Sequence, residues 1–568
     1  MPYRSPVEEI EFVLRHVSDY DALLGTDRFE EAGYDTVNAV LTEAAKISDE
    51  HVAPLNRGAD LEPAHLENGI VRTAPGFDTA YDAFREGGWI GIAADPETGG
   101  MGLPGTLQCA VNDMLSGACL GFQLLPLLSQ GQIESLQAHA SDEIKSTYIP
   151  KLLNGDWAGT MNLTEPQAGS DVGAVRTKAE PNSDGSFAIS GQKIFISWGD
   201  HELAENICHL VLARLPDAAP GTKGISMFMV PKFLPDTEGN VGARNAVRTV
   251  SLEHKLGLHG SPTAVMEYDG ATGWLVGAES GGMAAMFTMM NAARLAVGLQ
   301  GVGVAEAATQ AAVAFAAERK QGEVGGRGTI IEFPDVRRML TGMKADVFAA
   351  RSINYACAVA LDMGHATGSE EWSARGAFLT PIAKAFGSDI GVEVASQGVQ
   401  VHGGMGYVEE TGAAQYLRDA RITPIYEGTN GIQAMDLVAR KMSDGGDVAF
   451  RLLDEIEAGA EAVRGEFPVL GDAVWSAAEN LREATEWLLT QDLDARFTVA
   501  VPYLRAFARV LGGHYHLRAA HAVEGKGPRM ALAQFYINRL LPEHDGLLSQ
   551  VRVGDKGLYD LSVDALLA

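Results

Sequence analysis

The order of patterns along the chain predicts a multidomain α+β protein with a β domain interposed between helical blocks. Three observations carry this. Residues from Tyr34 to about Trp157 place apolar side chains at helical spacing. From Ala158 to about Gly277, short apolar runs alternate with Gly, Pro, Asn and Asp. From Gly281 to Met442, long Ala-rich amphipathic segments return. The polar, glycine-rich stretch Ser443-Asp-Gly-Gly-Asp447 then reads as a linker to a further helical block ending at Ala568. With 568 residues the chain holds material for roughly three to five domains. The expected divisions are a partly helical arm over 1–34, an N-terminal helical domain over 35–157 and a middle β domain over 158–280. A second helical domain over 281–443 and an additional helical domain over 444–568 follow.

Each block has its own punctuation. VNAVLTEAAKISDEHVAPLN is expected to be a helix ending near Pro54, because proline lacks an N–H and clashes with the preceding turn. TLQCAVNDMLSGACLGFQLLPLLSQGQIESLQAHA predicts two helices, and EIKSTYIPKLLNG another that Gly155 stops. FAISGQKIFIS, ICHLVLARL and GISMFMVPK, separated by turn formers, predict antiparallel strands with tight turns. The longest apolar stretch, Met283–Ala317, is interrupted by Asn291, Arg294 and Gln300 and reads as a buried bundle helix rather than a membrane span. SQGVQVHGGMGYVEETG is a loop interruption, and Gly322–Gly328 (GEVGGRG) a local flexible insertion.

Lys and Arg total 44 against 74 Asp and Glu, a net charge of −30. Such a chain repels a nucleic-acid backbone, so nucleic acid is not an expected partner. Cys109, Cys119, Cys208 and Cys357 are scattered without a Cys-x-x-Cys pair, so neither a metal site nor a redox motif is expected; buried free thiols in a reducing compartment are. The N-terminal MPYRSPVEEIEFVLRHV lacks the long apolar core of a secretory signal. The expectation is a cytoplasmic protein with no membrane attachment.

The most informative segment is Tyr416-Leu-Arg-Asp-Ala-Arg-Ile-Thr-Pro-Ile-Tyr-Glu-Gly-Thr-Asn430. A carboxylate in such a turn can take a weakly acidic carbon-bound proton if it lies within hydrogen-bond reach and burial raises its pKa. Gly428 lets the backbone approach a ligand, and the Thr429 hydroxyl can bond a cofactor. Glu427 can equally be a solvated residue stabilising the N-terminus of a following helix. Met161–Asp171 (MNLTEPQAGSD) contains a Gly-Ser turn that either offers N–H groups and a hydroxyl to an anion or is an ordinary side-chain turn. Gly191–Gly199 (GQKIFISWG) is either a core strand or a ligand-facing one. Arg294 in Asn291-Ala-Ala-Arg294 orders a site or forms a structural ion pair. Glu318-Arg-Lys-Gln-Gly322 is a phosphate contact or a solvated basic pair at a helix end. Gln400-Val-His-Gly-Gly-Met-Gly406 is glycine-rich, but no βαβ unit surrounds it.

Taken together and in this order, these motifs closely resemble those of the acyl-CoA dehydrogenases, over roughly Tyr34 to Met442. The resemblance implies that family's fold: an N-terminal helical domain, a middle β-barrel domain and a C-terminal four-helix domain, here with an extra helical domain. It implies FAD lying between the β domain and the last helices and completed by a second subunit. By resemblance Glu427 is the base that takes the α-proton of an acyl-CoA while the β-hydrogen leaves as hydride to flavin N5. The Glu427 N–H and a flavin ribityl hydroxyl would hold the thioester oxygen. Leu163 and Thr164 would contact the flavin pyrimidine edge, Ser170 the pyrophosphate, Phe195 the isoalloxazine face and Ser197 the N5 atom, with Thr429 also on the cofactor. Arg319, Gln400, Gly403 and Gly404 would reach the neighbouring subunit's dinucleotide. Ser170, Arg294, Tyr426, Glu427 and Gly428 would border the substrate. The chain departs from the pattern at Phe195 (often Trp), Ser197 (often Thr) and Gly431 (often Glu). Gln321–Gly328 replaces a common Thr-Phe-Gly continuation, which alters the adenosine contacts.

The helical extension marks a longer subfamily, and the likeness of the whole chain to it implies 3-methylthiopropanoyl-CoA as substrate and 3-methylthioacryloyl-CoA as product. A short- or medium-chain fatty acyl-CoA is the alternative. A nitroalkane-type oxidase on a similar fold would use Asp as base, which Glu427 opposes, and a non-catalytic DNA-associated flavoprotein is opposed by the charge of −30. The resemblance further implies an electron-transfer flavoprotein as acceptor and a homo-oligomer, most simply a dimer. The extension is expected to shield the cofactor cleft or the subunit interface.

Overall fold

The computed structural model describes residues 3–322, 326 and 328–568. Most of the Gly322–Gly328 insertion therefore lies outside the described residues. The chain begins with helices α1 (Val7–His16), α2 (Asp21–Leu24), α3 (Tyr34–Lys46) and α4 (Leu55–Leu61). A hairpin of β1 (His65–Glu67) and β2 (Ile70–Arg72) precedes α5 (Phe77–Glu86), α6 (Gly105–His139) and α7 (Asp142–Leu153). Then come β3 (Trp157–Asn162), β4 (Lys178–Pro181), β5 (Phe187–Ser197), β6 (Asn206–Arg214) and β7 (Ile225–Pro231). β8 (Phe233–Pro235), β9 (Val241–Arg244), β10 (Val247–Leu252) and β11 (Thr263–Val276) complete the strands. The second helical block is α8 (Gly282–Glu318), α9 (Pro334–Thr367), α10 (Glu370–His402), α11 (Ala413–Ala420) and α12 (Asn430–Val438). The extension holds α13 (Asp447–Val463), α14 (Pro468–Leu489), α15 (Leu493–Thr498), α16 (Ala500–Ala522), α17 (Gly527–Arg539), α18 (Glu543–Val553) and α19 (Val563–Leu567). The residues gather into two compact units, one of 42–296 with 3–5, the other of 6–41 with 297–568.

In the first unit, α5 buries Phe77, Ala80, Tyr81 and Phe84, a helical stripe, and Phe77 meets Phe122 of α6 edge-on at 5.5 Å. The backbone of α6 leaves helical geometry at Cys119 (φ −160, ψ 100), so two helical runs lie end to end there, and the Trp198 Nε1–H bonds the Gly121 carbonyl at 3.3 Å. A π-helical turn over Ile47–Val52 carries α3 onward, and this helical run ends at Val52, near Pro54 as expected; Pro54 then caps the start of α4. One expectation needs correction: the block read as wholly helical also contains the β1–β2 hairpin. Its turn is Asn68-Gly69, both at positive φ (51 and 78), the pairing that two-residue hairpin turns require.

The β domain follows the order β10-β11-β5-β4-β6-β3, and β7 pairs with both β11 and β6, which closes the strands into a ring. Ile189, Ile196, Val211, Phe228, Val230 and Tyr268 fill its core; each fully buried aliphatic or Phe side chain is worth about 1.5–3 kcal/mol. The expectation of antiparallel pairing throughout is corrected at β3, which runs parallel to β6 from Trp157↔Asn206 to Asn162↔Val211. The antiparallel β4–β5 pair lies between them in sequence, and that detour is the crossover a parallel pair needs.

In the second unit α8 and α10 meet with backbones almost touching. A Cβ on Gly301 would fall 2.1 Å from the Gly387 carbonyl oxygen, and one on Gly387 would fall 2.5 Å from that of Gly298. α11 and α12 lie on α10. The arm read from the first residues is packed: α1 buries Ile10, Val13 and Leu14, and Asp19 pairs with Arg518 of α16 at 2.5 Å. α16 is the centre of the extension and packs on α9, α10, α12, α14, α17 and α18. α6 and α8 are long and apolar enough to cross a membrane, yet their most apolar windows are 100% and 61% buried within the protein.

Candidate active site

Glu427 lies in the turn between α11 and α12, half-buried, with φ +57, and Gly428 follows at φ +84. The left-handed region costs a residue with a Cβ about 1–2 kcal/mol. Backbone strain of this kind persists only where the surroundings hold it, and it gathers at functional sites. Here the restraints are visible. Lys384, fully buried on α10, donates from Nζ to the Gly428 carbonyl (2.9 Å) and to Asn430 Oδ1 (2.9 Å). Gln433 Nε2 donates to the carbonyls of Glu427 (3.2 Å) and Gly428 (3.4 Å). The Asn430 N–H returns to Pro424 O at 3.0 Å. Thr429 caps α12, its Oγ1 accepting from the Ile432 N–H at 3.2 Å. The Tyr426 hydroxyl donates to Gln300 Oε1. Burial, and then the negative charge of neighbouring Glu427, pushes the Tyr426 phenol up, so it stays protonated.

A second constellation sits on the β domain. Glu165, in the loop after β3, accepts from Thr177 Oγ1 (2.6 Å), the Arg176 N–H (2.7 Å) and fully buried Lys193 of β5 (2.8 Å). Burial alone would push the Glu165 carboxyl up; the Lys193 ammonium and these hydrogen bonds outweigh it and hold it down to about 2. Lys193 also donates to the Leu163 carbonyl at 2.9 Å, and the Ile194 N–H donates to the Thr164 carbonyl at 2.9 Å. The loop after β3 is thereby tied to β5. Two residues of β5, Ile194 and Phe195, oppose one of β11 where the register jumps from Ala264↔Ile196 to Met266↔Lys193. That bulge turns the strand so that Phe195, at φ +60, stands 60% exposed.

Family models described as the N-terminal, middle and C-terminal domains of acyl-CoA dehydrogenase match residues 35–156, 160–271 and 280–442. A model described as acetyl-CoA dehydrogenase C-terminal like matches 452–562. The 3-methylmercaptopropionyl-CoA dehydrogenase of Ruegeria pomeroyi is 44% identical over 94% of both chains. The chain belongs to the acyl-CoA dehydrogenase family. A butyryl-CoA dehydrogenase of Syntrophomonas wolfei is 33% identical over 100% of this chain and 99% of its own. Among solved structures, that of Caenorhabditis elegans ACDH-11 in complex with C11-CoA overlays 99% of this chain and 96% of its own with a TM-score of 0.82, at 21% identity.

Acyl-CoA dehydrogenases are FAD-dependent oxidoreductases acting on acyl-CoA. The residues of this acyl-CoA dehydrogenase fit that cofactor. An exposed aromatic face at Phe195 is accompanied by the hydroxyls of Thr164, Ser170 and Ser197, none of which has a protein hydrogen-bond partner among the described residues. A planar, polar-edged ligand can satisfy both features. Leu163, Thr164, Phe195 and Ser197 are brought together by the bonds from Lys193 and Ile194, and Ser170 is exposed farther along the same loop. Glu427, Gly428, Thr429 and Tyr426 share the turn before α12. Arg319 is exposed at the end of α8, and Gln400, Gly403 and Gly404 are exposed at the end of α10. His402 stacks on Phe315 at 4.4 Å and so joins these two ends; it is a packing residue. Arg294 is buried, with its guanidinium 5.9 Å from the Phe287 ring centre.

Sequence reasoning missed Lys193, Lys384, Gln433 and the Asn430 side chain. Each lysine stands alone in an apolar run, FAISGQKIFIS and FLTPIAKAFGSD. A charge there must find a buried partner, and that was the available signal.

Proposed function

We propose that this acyl-CoA dehydrogenase desaturates 3-methylthiopropanoyl-CoA to 3-methylthioacryloyl-CoA with Glu427 as the base. The observation that carries the reading is the Glu427–Gly428 turn, a carboxylate on a strained backbone whose two carbonyls are pinned by Lys384 and Gln433. With both carbonyls engaged, the turn is held in place from α10 and α12. The Glu427 N–H donates to the thioester oxygen and stabilises enolate-like charge as it develops. The Glu427 carboxylate takes the α-proton, the α C–H electron pair forms the new C=C bond, and the β-hydrogen leaves with its own pair. FAD, when bound, supplies the hydride acceptor at N5. Thr164, Ser170, Ser197 and Thr429 hold it through their hydroxyls and Phe195 packs on it, while Ser170, Arg294 and Tyr426 border the acyl-CoA. Arg319, Gln400, Gly403 and Gly404 serve the FAD of a second subunit in a homodimer. The reading includes a cytoplasmic enzyme that passes its electrons to an electron-transfer flavoprotein.

What supports the substrate is the 44% identity to the Ruegeria pomeroyi enzyme against 33% to the butyryl-CoA dehydrogenase, both over nearly the whole chain. Anaerobic mixing with 3-methylthiopropanoyl-CoA, followed at the visible flavin band, tests it. Fast bleaching is expected. No bleaching with this thioester but bleaching with butyryl-CoA would reject the substrate and keep the dehydrogenase.

A further inference from the structure

The extension from Asp447 touches the scaffold of the Glu427 turn at both ends of α12, the helix that starts three residues after Glu427. At the C-terminal end, Arg496 of α15 donates to the Val438 carbonyl at 3.3 Å and anchors itself on the carbonyls of Leu489 (2.8 Å) and Gln491 (3.0 Å). At the N-terminal end the Asn430 side chain is the junction. It accepts from Lys384 at 2.9 Å and donates to Asp389 Oδ1 at 2.7 Å, both on α10. One turn beyond Asp389, Glu393 receives a two-pronged ion pair from Arg505 of α16 (2.5 and 3.0 Å). Arg505 also bonds Glu543 at the start of α18, at 2.7 Å. Arg509, a turn later and buried, bonds Glu543 and Asp346 of α9. Between these ends, α16 itself packs on α12.

We propose that the extension positions the catalytic turn: Arg505, through Glu393 and Asp389, and Arg496, at the far end of α12, hold Asn430 and so the Glu427–Gly428 backbone in reactive geometry. The proposal rests on the reading of Glu427 as base. A bidentate arginine fixes both distance and orientation of the carboxylate it grips. Glu393 and Asp389 lie on one face of α10, a turn apart, so seating the first sets the second. Asp389 takes the Asn430 amide, and Lys384, which bonds the other end of that side chain, also grips the Gly428 carbonyl. A displacement of about 1 Å at a reacting group can cost about 10²-fold in rate. Arg505 and Arg496 are positioning residues, since neither touches the substrate in this reading.

The test uses full-length FAD-loaded protein carrying Arg505→Met, Arg505→Lys, Arg496→Met, Asn430→Ala or the Arg505→Met/Asn430→Ala pair. Flavin content, substrate Kd and the limiting rate of flavin reduction by 3-methylthiopropanoyl-CoA are measured anaerobically. For Arg505→Met and Arg496→Met we expect flavin content and Kd within about twofold of the parent and a limiting rate lower by about ten- to hundredfold. Arg505→Lys should recover part of it. The double variant should be no slower than the slower single, because both act along one path. A parent-like limiting rate accompanied only by a lower Tm would overturn the proposal, as would losses that multiply in the pair. If Arg505→Met does not fold, Arg496→Met carries the same expectations. Glu427→Gln, run in parallel, separates the two readings: normal flavin reduction in that variant defeats the base assignment. An inert Glu427→Gln beside normal Arg505→Met and Arg496→Met defeats the positioning role alone.

Discussion

At the residue scale the proposed chemistry turns on Glu427. Replacement by Gln keeps the shape of the side chain and removes its basicity, so FAD should be retained while the rate of flavin reduction falls about 10²–10⁴-fold. A variant that still turns over at a near-normal rate would exclude Glu427 as the base. Gly428→Ala tests the turn itself: at φ +84 the added Cβ costs about 1–2 kcal/mol, and the expected result is a slower limiting rate with substrate Kd little changed. The residue types of this turn were legible in the sequence, since Glu-Gly-Thr before a helix offers a carboxylate, a flexible hinge and a cap. The strain was not. The φ of +57 at Glu427 is imposed by Lys384 and Gln433, and Lys384 lies 44 positions away from the Gly428 carbonyl it holds. Gly431, where the motif departs from the family pattern, has open space around its Cβ position apart from Thr429 Oγ1 at 3.7 Å, so it takes no part in holding the Glu427 turn.

At the scale of elements, helices follow from periodicity because an amphipathic stripe is a local property; α7 needed nothing else. Strand direction is not local. Nothing within β3 distinguishes a parallel from an antiparallel partner, and its neighbour β6 is set by where the loop after β3 sends the chain. The Asn68-Gly69 hairpin is legible from that dipeptide, although helical patterns flank it on both sides. The bulge at Ile194–Phe195, which exposes the Phe195 ring, depends on the pairing of β5 with β11 and could not be seen in β5 alone. Lys193 beneath it gives a test of the element. Lys193→Met leaves Glu165 buried without its cation, and such a loss costs about 3–5 kcal/mol. The midpoint of denaturation should fall and flavin should dissociate more readily. The pH dependence has a definite sign. Glu165 is held at about 2 in the fold against 4.5 when free, so its contribution is complete above 4.5 and is lost as pH falls through about 2. In Lys193→Met the carboxyl loses the ammonium that holds it down, so the stability deficit of the variant should be full above about 4.5 and shrink as pH falls toward about 2, as followed by denaturation monitored through intrinsic fluorescence. A deficit that is constant with pH would show that the charge pair does not set the stability of this loop.

At the scale of the whole chain, the sequence announced an extra helical block and a net charge of −30, but not what the block does. A cluster of six charges, three of them on this block, answers in part. Arg505 and Arg509 face Asp346, Glu393 and Glu543, with Asp389 a turn away, so the extension is joined to α9 and α10 by ions as well as by apolar packing. These partners are dispersed over positions 346–543, and no local pattern could have paired them. Arg509→Met isolates the central contact. Asp346 is buried, and burial already pushes its carboxyl up against the pull of Arg509. Without that cation the carboxyl rises further above its free value of 3.8. A carboxyl with a raised folded-state pKa favours the folded state when protonated, so the stability it offers is present at low pH and is lost as pH rises through the folded pKa. The variant should thus lose about 3–5 kcal/mol at neutral pH. The deficit should shrink as pH is lowered from about 8 to about 5.5, a range that stays above the pI of about 4.8, where solubility is poorest. Thermal unfolding of parent and variant across that range measures it. A deficit that is constant with pH would mean that Arg509 acts through its packing against Phe386 and Tyr536, 5.2 and 5.9 Å from the guanidinium carbon, rather than through its charge.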